Sequence, residues 1–175
     1  MLSIIIPTHD SERRLVQTLA ALVPGATAGL VREVIVADGG SRDETEHVAD
    51  IAGCSFFRSG EPLGARLKAG AQGARGQWLM FLRPGVVPAP TWIDETAAFV
   101  QRGGGAAAFR RETPSIFGRL FQLLPHPDQG LILPKALYHE LGGHRSDAAS
   151  PERDLLQRIG QSRLTMLRTT MAANI

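Results

Sequence analysis

Short unbroken apolar runs alternate along the chain with amphipathic stretches, and that alternation predicts βαβ units on a mainly parallel sheet. "LSIIIPT" (2–8) lacks polar alternation, as expected of a strand covered on both faces. Next, "DSERRLVQTLAALV" sets Leu15, Leu19 and Leu22 on one helical stripe behind the capping candidates Asp10 and Ser11, and Pro24-Gly25 should end that helix. "REVIVAD" reads as a second buried strand. Ser41-Arg42-Asp43-Glu44 has the form of a capping box opening a helix through Ile51. "CSFFRS" and "QWLMFL" predict the third and fourth strands, with the small-residue helix "GARLKAGAQGA" between them. "TWIDETAAFVQR" predicts a helix ending at Gly103-Gly104-Gly105, and "AAAFRR" another strand. The pattern loosens from Thr113 to Pro127, where "SIFGRLFQLL" is apolar and helix-like. It resumes with the strand "GLILP", the short helix "KALYHELGG", the helix "SPERDLLQRIG" and the strand "SRLTML".

Composition narrows the class. At 175 residues the expectation is one domain over 1–175, with a first half at 1–102, a second at 106–175, and the three glycines as the joint. A formal net charge of +2, with the basic residues scattered, gives no footprint for nucleic acid or an anionic membrane. One cysteine, Cys54, excludes an internal disulfide. "MLSIIIPTHD" lacks a cationic start, and no run reaches the roughly 18 apolar residues of a membrane span, so a cytoplasmic location is expected.

Open parallel sheets bind ligands at the carboxyl ends of their strands. Three such ends carry polar or turn-forming residues: Pro7-Thr8-His9-Asp10, Asp38-Gly39-Gly40-Ser41 and Arg83-Pro84-Gly85. A carboxylate at Asp38 can accept a base imide N–H while Gly39 and Gly40 admit a ligand close to the backbone; equally, Asp-Gly-Gly can serve turn geometry alone. His9 is the histidine expected to face the pocket. His47, His126, His139 and His144 are dispersed and read as surface residues, with no metal-ligand spacing.

Taken in order, "SIIIPTHDSERRL", "EVIVADGGSRDET" and "GAQGARGQWLMFLRPGVVPAPTW" resemble the nucleotide-binding half of family 2 glycosyltransferases of the GT-A fold. "HPDQGLILPKALYHELGGHRSDAASPERDLLQRIG" resembles the acceptor half of the compact bacterial branch. The resemblance implies a Rossmann-like α/β domain that takes a sugar from a nucleotide sugar, UDP-linked, with inversion and ordinarily with Mg²⁺ or Mn²⁺. On this chain it implies Pro7 and Thr8 at the nucleoside, Asp38 reading the base, Gly39 and Gly40 shaping the pocket, and Arg66 or Lys68 at the diphosphate. Asp128 and Gln129, of the "DQG" motif, would meet an unknown acceptor. The apolar segment before them suits a lipid-linked acceptor, a homodimer interface or plain core packing.

Two departures stand out. The family's Asp-x-Asp falls on Arg83-Pro84-Gly85, which offers no oxygen ligand to a hard cation, so no metal site and no cofactor is assigned. Arg83 is then either a fixed cation for the diphosphate in place of the metal or the remnant of a lost site. The family's Glu-Asp base pair falls, counted from Gly142-Gly143, on Pro151-Glu152. Glu152 is thus the candidate catalytic base, one methylene longer than the family's aspartate, with Asp154 the fallback. Its alternative is an ordinary helix start with an acid in the first turn. The rival to a transferase is a catalytically inactive nucleotide-binding or protein-interaction module on the same scaffold.

Overall fold

The computed structural model describes residues 1–111, 126 and 129–173. Eight strands form one sheet: β1 (Leu2–Thr8), β2 (Val31–Asp38), β3 (Ser55–Arg58), β4 (Trp78–Phe81), β5 (Val86–Pro88), β6 (Ala106–Arg111), β7 (Leu131–Pro134) and β8 (Leu164–Ala173). Helices α1 (Glu12–Thr27), α2 (Thr45–Ile51) and α3 (Leu63–Gly73) link the first four strands. They are followed by α4 (Trp92–Gln101), α5 (Lys135–Glu140) and α6 (Pro151–Ile159).

The strand order is β3-β2-β1-β4-β7-β6-β8-β5. The sheet is mainly parallel only in its first half. Helical crossovers make β3, β2, β1 and β4 mutually parallel. Beyond β4 it is mixed: β7 runs antiparallel to β4 and β6, β8 is parallel to β6, and β5 is antiparallel to β8. Thus β5, unforeseen in the sequence, leaves its chain neighbour β4 to form the far edge. No helix among the described residues is long and apolar enough to cross a membrane.

Strand pleating explains the unbroken apolar runs. Leu2, Ile4 and Ile6 point into one core with Leu15, Leu19 and Leu22 of α1 and Trp92 and Phe99 of α4. Ile5, Ile35, Leu79 and Phe81 point into the other with Leu67 of α3, Tyr138 of α5, and Leu155, Leu156 and Ile159 of α6. Both faces are covered, so polar side chains collect at the strand ends.

Two expected boundaries shift. Pro24-Gly25 does not end α1, which continues to Thr27 with Pro24 inside it. Gly25 is needed there because a Cβ would lie 2.5 Å from the Trp92 ring, so the last turn can seat directly on that buried indole. The capping box at Ser41 does not form, and α2 starts only at Thr45. Asp43 Oδ1 accepts the Thr45 N–H (3.1 Å) and hydroxyl (2.5 Å), while Ser41 turns inward to Asp38. At Gly103–Gly105, where a joint is expected, Gly104 lies against the Phe99 ring.

Gly64, in the first turn of α3, sets where α6 begins. A Cβ there would come within 2.0 Å of the Arg145 carbonyl oxygen and 3.1 Å of Pro151. The obstacle is backbone and cannot swing aside. Gly64→Ala should therefore destabilise the protein by about 1–3 kcal/mol, a drop in Tm of roughly 2–10 °C by thermal unfolding.

Candidate active site

Parallel pairing brings Thr8 level with Asp38, so β1 and β2 deliver their last residues to one rim. Asp38 is fully buried there. Its carboxylate accepts hydrogen bonds from Thr8 Oγ1 (2.9 Å), Gly40 N–H (2.9 Å) and Ser41 N–H (2.8 Å), and from the Ser41 hydroxyl. Arg58 Nε approaches at 3.4 Å. Burial alone would raise its pKa, but the bonds from Ser41, Thr8 and Gly40 outweigh it and hold the carboxyl below its ordinary value. The acceptor expected to face a base is thus engaged by its own chain, and a ligand reaches it only by displacing a donor. Around it, Asp10 N–H donates to Ser41 Oγ (2.8 Å), Arg42 N–H to Asp10 Oδ1 (2.7 Å), and Glu12 N–H to Asp43 Oδ2 (3.0 Å), lacing the two loops together.

Arg66 lies over this rim. Its Nη1 donates to the carbonyls of Ala37 (2.6 Å) and Thr8 (3.1 Å), and its guanidinium would be 3.0 Å from a Cβ on Gly39. Burial lowers its pKa, while the Asp38 charge raises it. Space is open above Gly40, whose φ of +92° requires glycine. His9 is exposed, with Nδ1 3.1 Å from the Gly39 carbonyl. Pro7 is half-buried in β1. Lys68 does not join this group: two helical positions from Arg66, it faces a separate cavity of about 310 Å³ with His144, Arg145 and Asp147.

The end of β4 turns sharply, with Val86 N–H donating to the Arg83 carbonyl (3.2 Å) and Gly85 N–H bonded to Arg14 O (3.0 Å) and Thr18 Oγ1 (2.9 Å). From this turn Arg83 forks onto Glu152. Nε meets Oε1 at 2.8 Å and Nη2 meets Oε2 at 2.5 Å. Both departures noted in the sequence therefore form one ion pair between the two halves of the chain. A divalent cation does not fit here: the turn supplies a cation, a proline and a glycine, and no group of three or more His, Cys, Asp or Glu gathers among the described residues.

Glu152 is 11% exposed, against 38% for Arg83. Its helix is clamped from behind by Arg158, which donates to the carbonyls of Leu141 and Gly143 (2.7 Å) and to Asp154 (2.5 Å). Asp154 also lies 3.5 Å from Arg145, so it braces the helix and the preceding loop. Positive φ at Gly142 and Gly143 (79° and 70°) folds that loop onto Tyr138. His144 is consequently buried, not a surface residue. Its N–H donates to Tyr138 Oη (3.0 Å), which is also hydrogen-bonded to Nδ1 (2.9 Å), and its ring stands edge-on to Phe81 at 4.6 Å. Phe81, His144 and Glu152 line one small cavity. Burial and the Arg158 charge push the His144 pKa down to about 3, against the opposing pull of Asp154.

Gln129, expected to meet an acceptor, is turned into the protein. It is buried, its amide donates to Phe109 O (2.9 Å), and its Oε1 accepts the His126 N–H. Asp128 and the apolar segment at 115–125 lie outside the described residues. Nothing in the sequence pattern pointed to Arg158 or Arg58 as braces of this rim, nor to the Tyr138–His144 pair. The nearest signal was the Gly-Gly turn four and five residues after a tyrosine.

Two stability measurements follow from these buried groups. Asp38→Asn should cost about 2–4 kcal/mol at pH 7, because an amide N–H₂ would confront donors. Since the folded pKa is lowered, the Asp38 contribution is complete above the unfolded value near 3.8, and the deficit should narrow only as pH falls below it. His144 is neutral when folded, so protonation of the unfolded chain erodes stability from about pH 6.5 down to about 3. Denaturant titrations of His144→Gln should show a shallower loss across that window.

A search of curated proteins by sequence returns no match. Solved structures share the fold at low identity. *S. aureus* TarS 1–349 superposes with a TM-score of 0.77 at 17% identity, over 98% of this chain and 60% of that one. Glucosyl-3-phosphoglycerate synthase from Mycobacterium tuberculosis, in complex with Mn²⁺, UDP and glucosyl-3-phosphoglycerate, gives 0.77 at 17%, over 100% and 72%. The mannosyltransferase PcManGT from Pyrobaculum calidifontis, with GDP-Man and Mn²⁺, gives 0.80 at 14%, over 98% and 56%. The chain thus spans about three-fifths of the TarS fragment's length. The model of "Glycosyl transferase family 2" matches residues 3–157, and with a sheet and helices that follow the same plan, the chain belongs to that family.

Proposed function

We propose that this domain transfers a sugar from a nucleotide sugar, UDP-linked, to an acceptor hydroxyl by single displacement with inversion, and that it does so without a divalent cation. The observation that carries this reading is the juxtaposition of Arg83 and Glu152. In a single displacement the attacking and leaving oxygens flank one carbon, with the attacker within about 3–3.5 Å of it beforehand. The groups that serve them must therefore lie at one corner but on opposite sides of that carbon, so the pair has to part to admit it. Glu152 would take the proton of the acceptor hydroxyl as its oxygen bonds to C1. The bond from C1 to the diphosphate oxygen breaks, and Arg83 would hold the departing charge through its N–H fork. Arg66 and the glycines at the β2 end would border the nucleoside.

A second reading, a nucleotide-binding or interaction module without turnover, is favoured by one specific arrangement: Asp38 is saturated by its own chain and Arg66 covers Gly39. Assays of UDP- and GDP-sugars with and without EDTA separate the two. The transferase reading expects EDTA-insensitive turnover to a product of inverted anomeric configuration, and a loss of at least about 100-fold in Glu152→Gln. A strict divalent requirement would overturn the role of Arg83, and nucleotide binding with no turnover would favour the module.

A further inference from the structure

The two groups needed at the reacting bond occupy each other. In the bidentate contact both Glu152 oxygens accept N–H bonds from Arg83, at 2.8 and 2.5 Å, so each oxygen that would take a proton from an acceptor hydroxyl is already bonded to a cation. We propose that this pair is a latch opened by the donor itself: the diphosphate draws Arg83 away, and Glu152 is released as the base only when the donor is bound. The inference rests on the transferase reading above and adds an order to it, donor before acceptor deprotonation.

The two partners differ in their freedom to move. The Glu152 side chain is 11% exposed, and its helix is held by Arg158 through two loop carbonyls and Asp154. Pro151 is seated on α3 opposite Gly64, which fixes the first turn of that helix. Arg83 sits on a turn at the strand end with 38% of its side chain exposed, on a long flexible stem. Opening therefore belongs to Arg83. A diphosphate offers it more negative charge and more acceptor oxygens than one carboxylate, and planar guanidinium forks bind phosphate in the same bidentate manner. In a metal-dependent site the cation arrives with the donor and leaves the base alone. Here the cation belongs to the chain, and without donor it needs an anion to rest on; Glu152 is that anion.

The latch lowers donor affinity, because only the fraction of molecules with Arg83 disengaged is ready to bind. Calorimetry with UDP, GDP and uridine on the wild type, Glu152→Gln and Arg83→Gln tests this directly. Glu152→Gln keeps the shape but removes the competing charge, so it should bind the diphosphate nucleotide roughly tenfold more tightly, with uridine unchanged. Arg83→Gln should weaken the diphosphate nucleotide and leave uridine alone. If the wild type binds UDP or GDP but Glu152→Gln binds it equally or more weakly, the latch is overturned and the nucleotide site stands. If no variant binds either diphosphate, both the latch and the transferase reading fail. Should Glu152→Gln not unfold cooperatively, Glu152→Asp replaces it with the same expected direction, since the shorter acid loosens the fork.

Discussion

A carboxylate with no exposure must be satisfied from within, and Asp38 shows what that demands of the chain around it. Its donors come from the end of β1, the glycine loop and Ser41, so three segments must converge to bury one charge. The register of β1 against β2, the inward turn of Ser41 and the delayed start of α2 all follow from that convergence. The second layer, Asp10 with Ser41 and Arg42, and Asp43 with Glu12 and Thr45, extends the same stitching between the two loops. At the carboxyl ends of β1 and β2 the chain has thus built a closely hydrogen-bonded floor.

The other end of the rim obeys charge balance instead. An arginine at the close of β4 brings a permanent cation into a half-buried corner. Such a group is favoured by an anion beside it, and Glu152 in the first turn of α6 supplies one. Geometry then couples two substitutions that look independent along the chain, 69 residues apart. The two suit each other: an aspartate in place of Glu152 would be a methylene short of the fork, and an acid in place of Arg83 would face Glu152 with like charge.

Support for that corner comes from residues with no motif value. Arg158 spends its donors on two loop carbonyls and one aspartate, and His144 spends its ring on Tyr138 and Phe81. These contacts join helix and loop, and Asp154, the fallback acid, is one of the braces between them. Gln129 is turned inward in the same way, its amide bonded to neighbouring backbone.

Local pattern determined much of this protein by itself. Apolar runs placed every described strand and α-helix except β5, most of them within a few residues, because burial on two faces leaves a clear signature, and motif order pointed to the family. Periodicity could not reveal that β5 crosses to the far edge, that α1 runs through Pro24, or that the sheet turns mixed beyond β4, since pairing partners are distant in sequence. Nor could it show where charges end up. Whether Asp38 looks at a ligand or at its own loop, and whether Arg83 meets a phosphate or Glu152, depends on which donors and acceptors the folded chain brings within 3 Å, and only the tertiary structure supplies that distance.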